Sequence, residues 1–227
     1  MYNFINKNGF EHKFWGNSGK LFKINDSSEN QVQVLWEGEY PKQVTNYQGL
    51  DIYLAYKNGI LDTMTDQAGR TTKYEYIDDG RYLSKIIRPD GTYTSFGYSY
   101  GRVTGIFDSE TCSGISIEQK DEKVYSLRRC TSAHLDQWGN VIGDVLGKGV
   151  TFEYRAYSTI VRSCGANDIL GDQDDILTEY QFDTFGRTTT VHTCRVDGSE
   201  DYGTQKYSYT ANSTTNSQNN NKLTQIH

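Results

Sequence analysis

Apolar and polar residues alternate along most of this chain, in short segments with a period of two. Ile52, Leu54 and Tyr56 occupy every second position, and the same spacing returns in the segment 96–100. A period of two places successive side chains on opposite faces of a β-strand. The pattern therefore predicts short strands, at 52–57, 73–77, 82–88, 93–100, 150–157, 178–183 and 188–194.

Glycines separate these segments at nearly constant intervals along the chain. Several follow Asn or Asp, and such dipeptides supply the positive φ angles of a two-residue hairpin turn. Gly59 and Gly80 are accordingly predicted to be left-handed. The repeating unit is a pair of antiparallel strands, because every second glycine returns at the same interval. The glycines are Gly59, Gly69, Gly80, Gly91 and Gly101, and the turn dipeptides are Asn58-Gly59, Asp79-Gly80 and Asp90-Gly91.

The predicted fold class is all-β, built from repeated antiparallel β-hairpins. No change of composition marks a linker, so residues 1–227 are interpreted as a single β-repeat module. Two interruptions are expected, an acidic loop at 163–176 and a polar loop rich in Asn, Ser and Thr at 210–221. A short strand is expected to start near Lys222, and we expect the parent chain to continue beyond it.

Composition limits the classes of function. The chain has 18 Tyr and 9 Phe but only 35% hydrophobic residues, which favours a thin, aromatic core. A net charge of −6 without a basic stripe argues against nucleic acid as a partner. No apolar run approaches the roughly 20 residues that span a bilayer, and no signal peptide is evident. The protein is expected to be cytoplasmic or an excised piece of a larger exported chain.

Three segments carry a resemblance to a known family: "DQAGRTTKYEY", "RPDGTYTSFGYSY" and "TEYQFDTFGRTTTVH". They resemble the YD repeats of the RHS (rearrangement hotspot) family, in which a Gly-Arg step, a strand, an Asp-Gly step and a Tyr-Asp step recur. Phe182-Asp183 matches the Tyr-Asp step with Phe in place of Tyr. The Gly-Arg steps are Gly69-Arg70, Gly80-Arg81, Gly101-Arg102 and Gly186-Arg187.

The resemblance implies an extended, coiled sheet of hairpins that forms a hollow shell, often in large exported or cell-surface bacterial proteins and toxin carriers. Many RHS proteins also cleave themselves at a C-terminal core. The Asp-Pro-x-Gly signature of that core does not occur in this sequence. The resemblance therefore gives no reason to expect self-cleavage in this chain.

His192 and Cys194 form the sharpest candidate for catalysis, since residues two apart on a strand share a face. No third, orienting group is evident, and ordinary sheet residues are the favoured interpretation over a hydrolase. The other histidines show no metal-ligand spacing, and the cysteines form no C-x-x-C pair. We therefore expect no cofactor and no metal, with free thiols or one disulfide. The remaining histidines are His12, His134 and His227, and the other cysteines are Cys112, Cys130 and Cys164.

Three further groups have both a functional and a structural interpretation. An acidic cluster suits Ca²⁺ by its ligand chemistry, but a solvated loop is favoured because its order does not match an EF-hand. A set of tyrosines could stack on sugars, although core or cross-strand packing is favoured. The arginines that follow turn glycines are expected to pack or pair across neighbouring hairpins. The groups are Asp168, Asp172, Asp174 and Asp175; Tyr53, Tyr74, Tyr76, Tyr98 and Tyr100; and Arg70, Arg81, Arg102 and Arg187.

The function predicted from the sequence is that of a non-catalytic structural module in a secreted or cell-surface protein. It would contribute to a shell or an extended scaffold, with the flanking repeats of the parent chain as its partners. The alternative is an adhesion module that binds a carbohydrate or a surface protein through an exposed tyrosine-rich face. In solution we expect a monomer or a weak edge-to-edge dimer.

Overall fold

The computed structural model describes residues 1–28, 30–136, 141–209 and 223–226, and within these ranges every regular element is a β-strand. The predicted all-β class is confirmed. Nowhere in the described ranges is there a helix that could cross a membrane. The predicted polar loop at 210–221 and His227 lie outside the described residues.

Two compact units divide the chain, Met1–Ser95 and Phe96–His227, and the division falls within strand β10. The strands are β1 (Tyr2–Ile5), β2 (Glu11–Phe14), β3 (Leu21–Asn25), β4 (Gln31–Glu37), β5 (Tyr40–Asn46), β6 (Asp51–Lys57), β7 (Ile60–Asp66), β8 (Thr71–Ile77), β9 (Tyr82–Ile87), β10 (Tyr93–Ser99), β11 (Arg102–Asp108), β12 (Ser113–Lys120), β13 (Lys123–Leu135), β14 (Val141–Tyr154), β15 (Ser158–Ser163), β16 (Ile176–Phe182), β17 (Thr188–Arg195), β18 (Asp201–Tyr209) and β19 (Leu223–Ile226).

In the first unit, each strand from β1 to β9 pairs antiparallel with the next strand of the chain. The register gives this ladder two different faces. Leu54 lies opposite Met64 on the apolar face, whereas Glu75 lies opposite Lys85 on the polar face. None of the described residues before Ser95 is fully buried. The apolar face of this unit therefore remains partly open to solvent.

A recurring five-residue turn, which we call the capped turn, joins every second pair of strands in the first unit. In the turn 66–70, Asp66 Oδ1 accepts backbone N–H groups from Ala68 at 3.0 Å and Arg70 at 2.9 Å. The Gly69 N–H donates to the Asp66 carbonyl at 2.9 Å. Side-chain oxygens at evenly spaced positions accept the same pair of N–H groups, in Asn6, Asp26, Asn46 and Asp66.

The turns at the other ends of the strands differ from one another. Asn58 and Gly59 form the predicted two-residue turn, with φ angles of 51° and 80°. The prediction of a two-residue turn at Asp79-Gly80 is wrong, because Ile77 pairs with Tyr82 and four residues lie between them. The left-handed conformation predicted for Gly59 and Gly80 is nevertheless confirmed, since Gly80 has a φ of 89°.

The turn after β9 differs from its prediction in the same way. Asp90 and Gly91 belong to the five-residue turn 88–92, which Arg88 closes by donating its N–H to the Thr92 carbonyl at 2.8 Å. Every second turn glycine returns at a slightly longer interval than the residues that close the capped turns. The two longer turns account for this difference, because they add residues between the strands.

Aromatic side chains mark β-bulges, where one strand carries an extra residue and the register shifts. The shifts occur just before Trp36, Tyr56 and Tyr76, which follow one another at the same interval as the capped turns. Trp36 Nε1 donates to the Leu21 carbonyl at 2.8 Å, and the Tyr56 hydroxyl donates to the Pro41 carbonyl at 3.0 Å. Each of these bonds joins an aromatic residue near the end of one strand to a backbone carbonyl near the start of the strand before it.

The second unit has a small buried apolar core, which the described residues of the first unit lack. Its buried apolar side chains include Phe107, Cys130 and Ala133. Close packing of backbones requires glycine there, because a Cβ at Gly114 would lie 2.7 Å from the Ile106 carbonyl oxygen. The strand predicted at 150–157 is wrong at both ends, since β14 spans Val141–Tyr154 and the chain turns at 155–157.

Gly69→Ala should lower the free energy of unfolding by about 1–2 kcal/mol, the usual cost of a left-handed residue with a Cβ. Gly69 has a φ of 81° and a Cβ there would meet nothing within 4 Å, so the loss reports backbone strain alone. Gly69→Asn is the control and should lose less, because Asn tolerates this conformation. Urea denaturation measures both variants, and equal stability of Gly69→Ala and wild type would contradict the turn assignment.

Acid should weaken the capped turns. Hydrogen bonds from the Arg70 side chain and backbone hold the pKa of Asp66 below its usual 3.8. A carboxylate with a depressed pKa in the folded state stabilises the protein above its unfolded pKa, and that stability is lost as the pH falls through the folded pKa. Asp66→Asn should therefore reduce the fall in thermal midpoint between pH 5 and pH 2.5. Asp62→Asn, which removes a carboxylate on the same strand outside the turn, serves as the control. An equal effect of both variants would contradict the role assigned to the turn.

Candidate functional sites

The loop between β15 and β16 brings three of the four predicted acidic residues together. One carboxylate oxygen each of Asp172, Asp174 and Asp175 lies within 4.8 Å of the others. Asp168 does not join them, because its Oδ2 lies 2.9 Å from Lys148 Nζ. We call Asp172, Asp174 and Asp175 the carboxylate cluster.

Asp175 is fully buried at the end of this loop. Its Oδ2 accepts Arg162 Nε at 2.5 Å and the Gly171 N–H at 2.7 Å. Its backbone carbonyl accepts the Val196 N–H at 2.9 Å, which fastens the loop to the turn after β17. The interpretation as a solvated loop is therefore wrong for Asp175.

The other two carboxylates of the cluster contact each other. Asp172 Oδ2 accepts the Asn167 side-chain amide at 2.7 Å, and this bond is the main cause that lowers the pKa of Asp172. Hydrogen bonding to Asp172, followed by burial, raises the pKa of Asp174. The Oδ1 atoms of Asp174 and Asp175 are both buried without a hydrogen-bond partner. Two acceptor oxygens of the cluster thus remain unsatisfied.

A groove of about 660 Å³ lies on the second unit, between strands β12 and β16. Its lining includes Phe152 and Tyr154, whose ring centroids are 6.2 Å apart, and Lys123 Nζ lies 4.9 Å from the Tyr154 ring centroid. Tyr125 and Arg155 contribute to the lining. The groove therefore combines flat aromatic surfaces with charged groups of both signs, a combination that suits a polar ligand with apolar C–H faces.

The five candidate tyrosines do not form one platform. Tyr53 lies on the polar face of the first unit, where its hydroxyl donates to Asp51 Oδ2 at 3.0 Å. Tyr74 and Tyr76 lie on the opposite, apolar face. In the second unit, Tyr98 lies on β10 and Tyr100 is wholly exposed in the turn that follows it.

The expectation that these arginines pack or pair across neighbouring hairpins is wrong for Arg70 and Arg81, which form ion pairs within their own turns. Arg187 pairs within its turn and also packs over the Tyr209 ring of the next strand, at 4.9 Å. Arg70, for example, lies 2.6 Å from Asp66 in the capped turn that contains both residues. Arg102 instead reaches the next hairpin. The ion pairs are Arg70–Asp66, Arg81–Asp78, Arg187–Asp183 and Arg102–Glu122.

His192 has an acidic partner that the sequence did not reveal, since Asp201 Oδ1 lies 3.2 Å from its Nε2. Hydrogen bonds from the Gly203 N–H and then from His192 lower the pKa of Asp201. Cys194 follows on the same strand, opposite Leu177, but in the described part of the chain no contact joins its thiol to the imidazole. The arrangement is a cross-strand hydrogen bond, and neither His192 nor Cys194 lines the groove.

Comparison with known proteins gives similarity at the level of structure alone. No family model matches the chain, and no curated protein matches its sequence. Three crystal structures match with 13% or 14% identity: TcdB2-TccC3 with Cdc42 (TM-score 0.54), TcdB2-TccC3 (0.55) and TcdB2-TccC3 without its hypervariable C-terminal region (0.56).

The matches cover 90% to 97% of this chain but only 12% of those chains. They support a β-fold related to the RHS type. At this level of identity, the similarity concerns the fold and leaves function open.

Asp175→Asn should destabilise the protein by about 3 kcal/mol, because loss of one partner leaves Arg162 without its buried counter-charge. Asp168→Asn is the matched control, since it breaks an exposed ion pair in the same loop and should cost less than about 1 kcal/mol. Urea unfolding of the two variants measures the difference. Equal losses would show that the burial of Asp175 contributes no more than an exposed pair.

Proposed function

We propose that this protein is a non-catalytic structural β-repeat module of a secreted or cell-surface protein, where it forms part of a shell or an extended scaffold. Its partners are the flanking repeats of the parent chain. The observation that carries the proposal is the regular hairpin repeat of the first unit, with an apolar face that stays partly open. A repeat of this kind cannot bury its apolar face alone and is completed by neighbours.

Strand β1 supports this proposal, because its apolar side chains are exposed. The exposed fractions are 65% for Tyr2, 59% for Phe4 and 67% for Ile5. On its described side, β1 pairs with β2. A strand that offers apolar side chains and backbone hydrogen-bonding groups pairs readily with another strand. We therefore assign β1 as a docking strand for an adjoining repeat.

The isolated protein should show weak association through β1 as its concentration rises, because the adjoining repeat is replaced by a second copy. Phe4→Lys should reduce this association, since charge on an edge strand opposes pairing. Leu50→Lys is the matched control, because Leu50 is 56% exposed but lies in a turn. Light scattering over a concentration series measures the association of each variant. If Phe4→Lys and Leu50→Lys change the association equally, the proposed role of β1 is contradicted.

A second candidate function is the binding of a glycan in the groove of the second unit. The stacked Phe152 and Tyr154 rings favour it, since aromatic faces suit the C–H surfaces of sugars. Glycan-array binding by the wild-type protein, lost in Tyr125→Ala, would support it. A wild-type protein that binds no glycan on the array would remove this candidate.

A further inference from the structure

The carboxylate cluster of the second unit gathers negative charge at one point of the chain. Arg162 is a basic residue that binds this cluster: its Nε donates to Asp175 Oδ2, and its Nη2 donates to the Asp172 backbone carbonyl at 2.7 Å. These bonds join the guanidinium to one of the three carboxylates. The remaining described hydrogen bonds to the side-chain oxygens of the cluster come from neutral N–H groups of the loop itself, at Asn167, Gly171 and Asp174.

A second, independent observation points to a ligand. Asp175 is fully buried, yet only its Oδ2 has hydrogen-bond donors, and its Oδ1 has none. Asp174 is only half-buried, but its Oδ1 atom is buried and also has no described hydrogen-bond partner. Buried carboxylate oxygens without a donor are costly, and native proteins satisfy them with a donor, a water molecule or a cation.

We propose that Asp172, Asp174 and Asp175 form a calcium-binding site, which is independent of the scaffold function proposed above. Hard carboxylate oxygens are the ligands that Ca²⁺ prefers, and water molecules would complete its coordination. With Ca–O distances of about 2.3–2.6 Å, oxygens on opposite sides of the ion stand about 4.6–5.2 Å apart. The cluster oxygens lie within 4.8 Å of one another, so all three fit around one ion.

Calcium bound here would also hold the loop against the adjoining strands. The loop end is fastened by two backbone bonds, from Val196 to the Asp175 carbonyl at 2.9 Å and from Asp197 to the Gln173 carbonyl at 3.2 Å. An ion shared by Asp172, Asp174 and Asp175 would link the loop to this contact. Binding should therefore raise the thermal stability of the protein as well as giving a direct binding signal.

The test is a titration of the full chain, stripped of metal with a chelator, with calcium chloride in a calorimeter. The wild type should bind one calcium ion with a dissociation constant between about 10⁻⁵ and 10⁻³ M, from the weak limit of sensor sites to the range of extracellular sites. Its thermal midpoint should rise in calcium chloride and change less in magnesium chloride, because Mg²⁺ requires a tighter octahedral site. Asp174→Asn should weaken binding about tenfold or more, since the number of ligand charges sets the affinity.

Asp168→Asn is the matched control, because Asp168 is an acidic residue of the same loop that pairs with Lys148 outside the cluster. It should retain wild-type calcium affinity. Should Asp174→Asn lose the β-sheet circular-dichroism spectrum, Asp172→Asn replaces it as the test variant. The proposal is overturned by a wild type that binds no calcium up to about 10 mM, well above the expected range. Equal affinity for magnesium, or equal loss in Asp168→Asn and the test variant, overturns it as well.

Discussion

The side-chain oxygen that closes each capped turn is the interaction on which the register of the first unit depends. A slip of one residue would exchange the apolar and polar faces of every strand. In most proteins a buried core opposes such a slip, but the described residues before Ser95 include none that is fully buried. Asn6, Asp26, Asn46 and Asp66 oppose it locally, because each binds two backbone N–H groups of its own turn.

The second unit shows what changes where a core does form. Close backbone packing around Gly114 and Gly143 allows Cys130 and Ala133 to be buried. In the same region the register between β13 and β14 shifts twice, and Ser132 adopts a φ of 50°. The second unit keeps one turn of the capped type, in which Asp183 Oδ1 accepts the N–H groups of Phe185 at 2.9 Å and Arg187 at 3.1 Å. Turn side chains therefore oppose a register slip in both units, and side-chain packing adds to them in the second.

The fold class could be predicted from the sequence because strand alternation and Asn-Gly or Asp-Gly turns are local signals. Turn length could not, since Asn58-Gly59 and Asp79-Gly80 look alike but close two-residue and four-residue turns. The contacts within the candidate sites were harder to predict from the sequence than the turn lengths. The partner of His192 is Asp201, on the next strand, and only the register reveals such a contact. The burial of Asp175 depends on Arg162, on the strand before the loop.

The distribution of polar chemistry follows from the repeat itself. Within the repeat, nearly every position serves the turn, the strand pairing or one face of the sheet, so charged residues such as Asp66 and Arg70 are used in the turns. The loop between β15 and β16 belongs to none of these turns or strand pairs, so several carboxylates can lie close together in it. Loops on a rigid scaffold are where binding groups collect in proteins generally. A cation at the carboxylate cluster would then act where the repeat is interrupted, as a local replacement for the hydrogen bonds that secure the capped turns elsewhere.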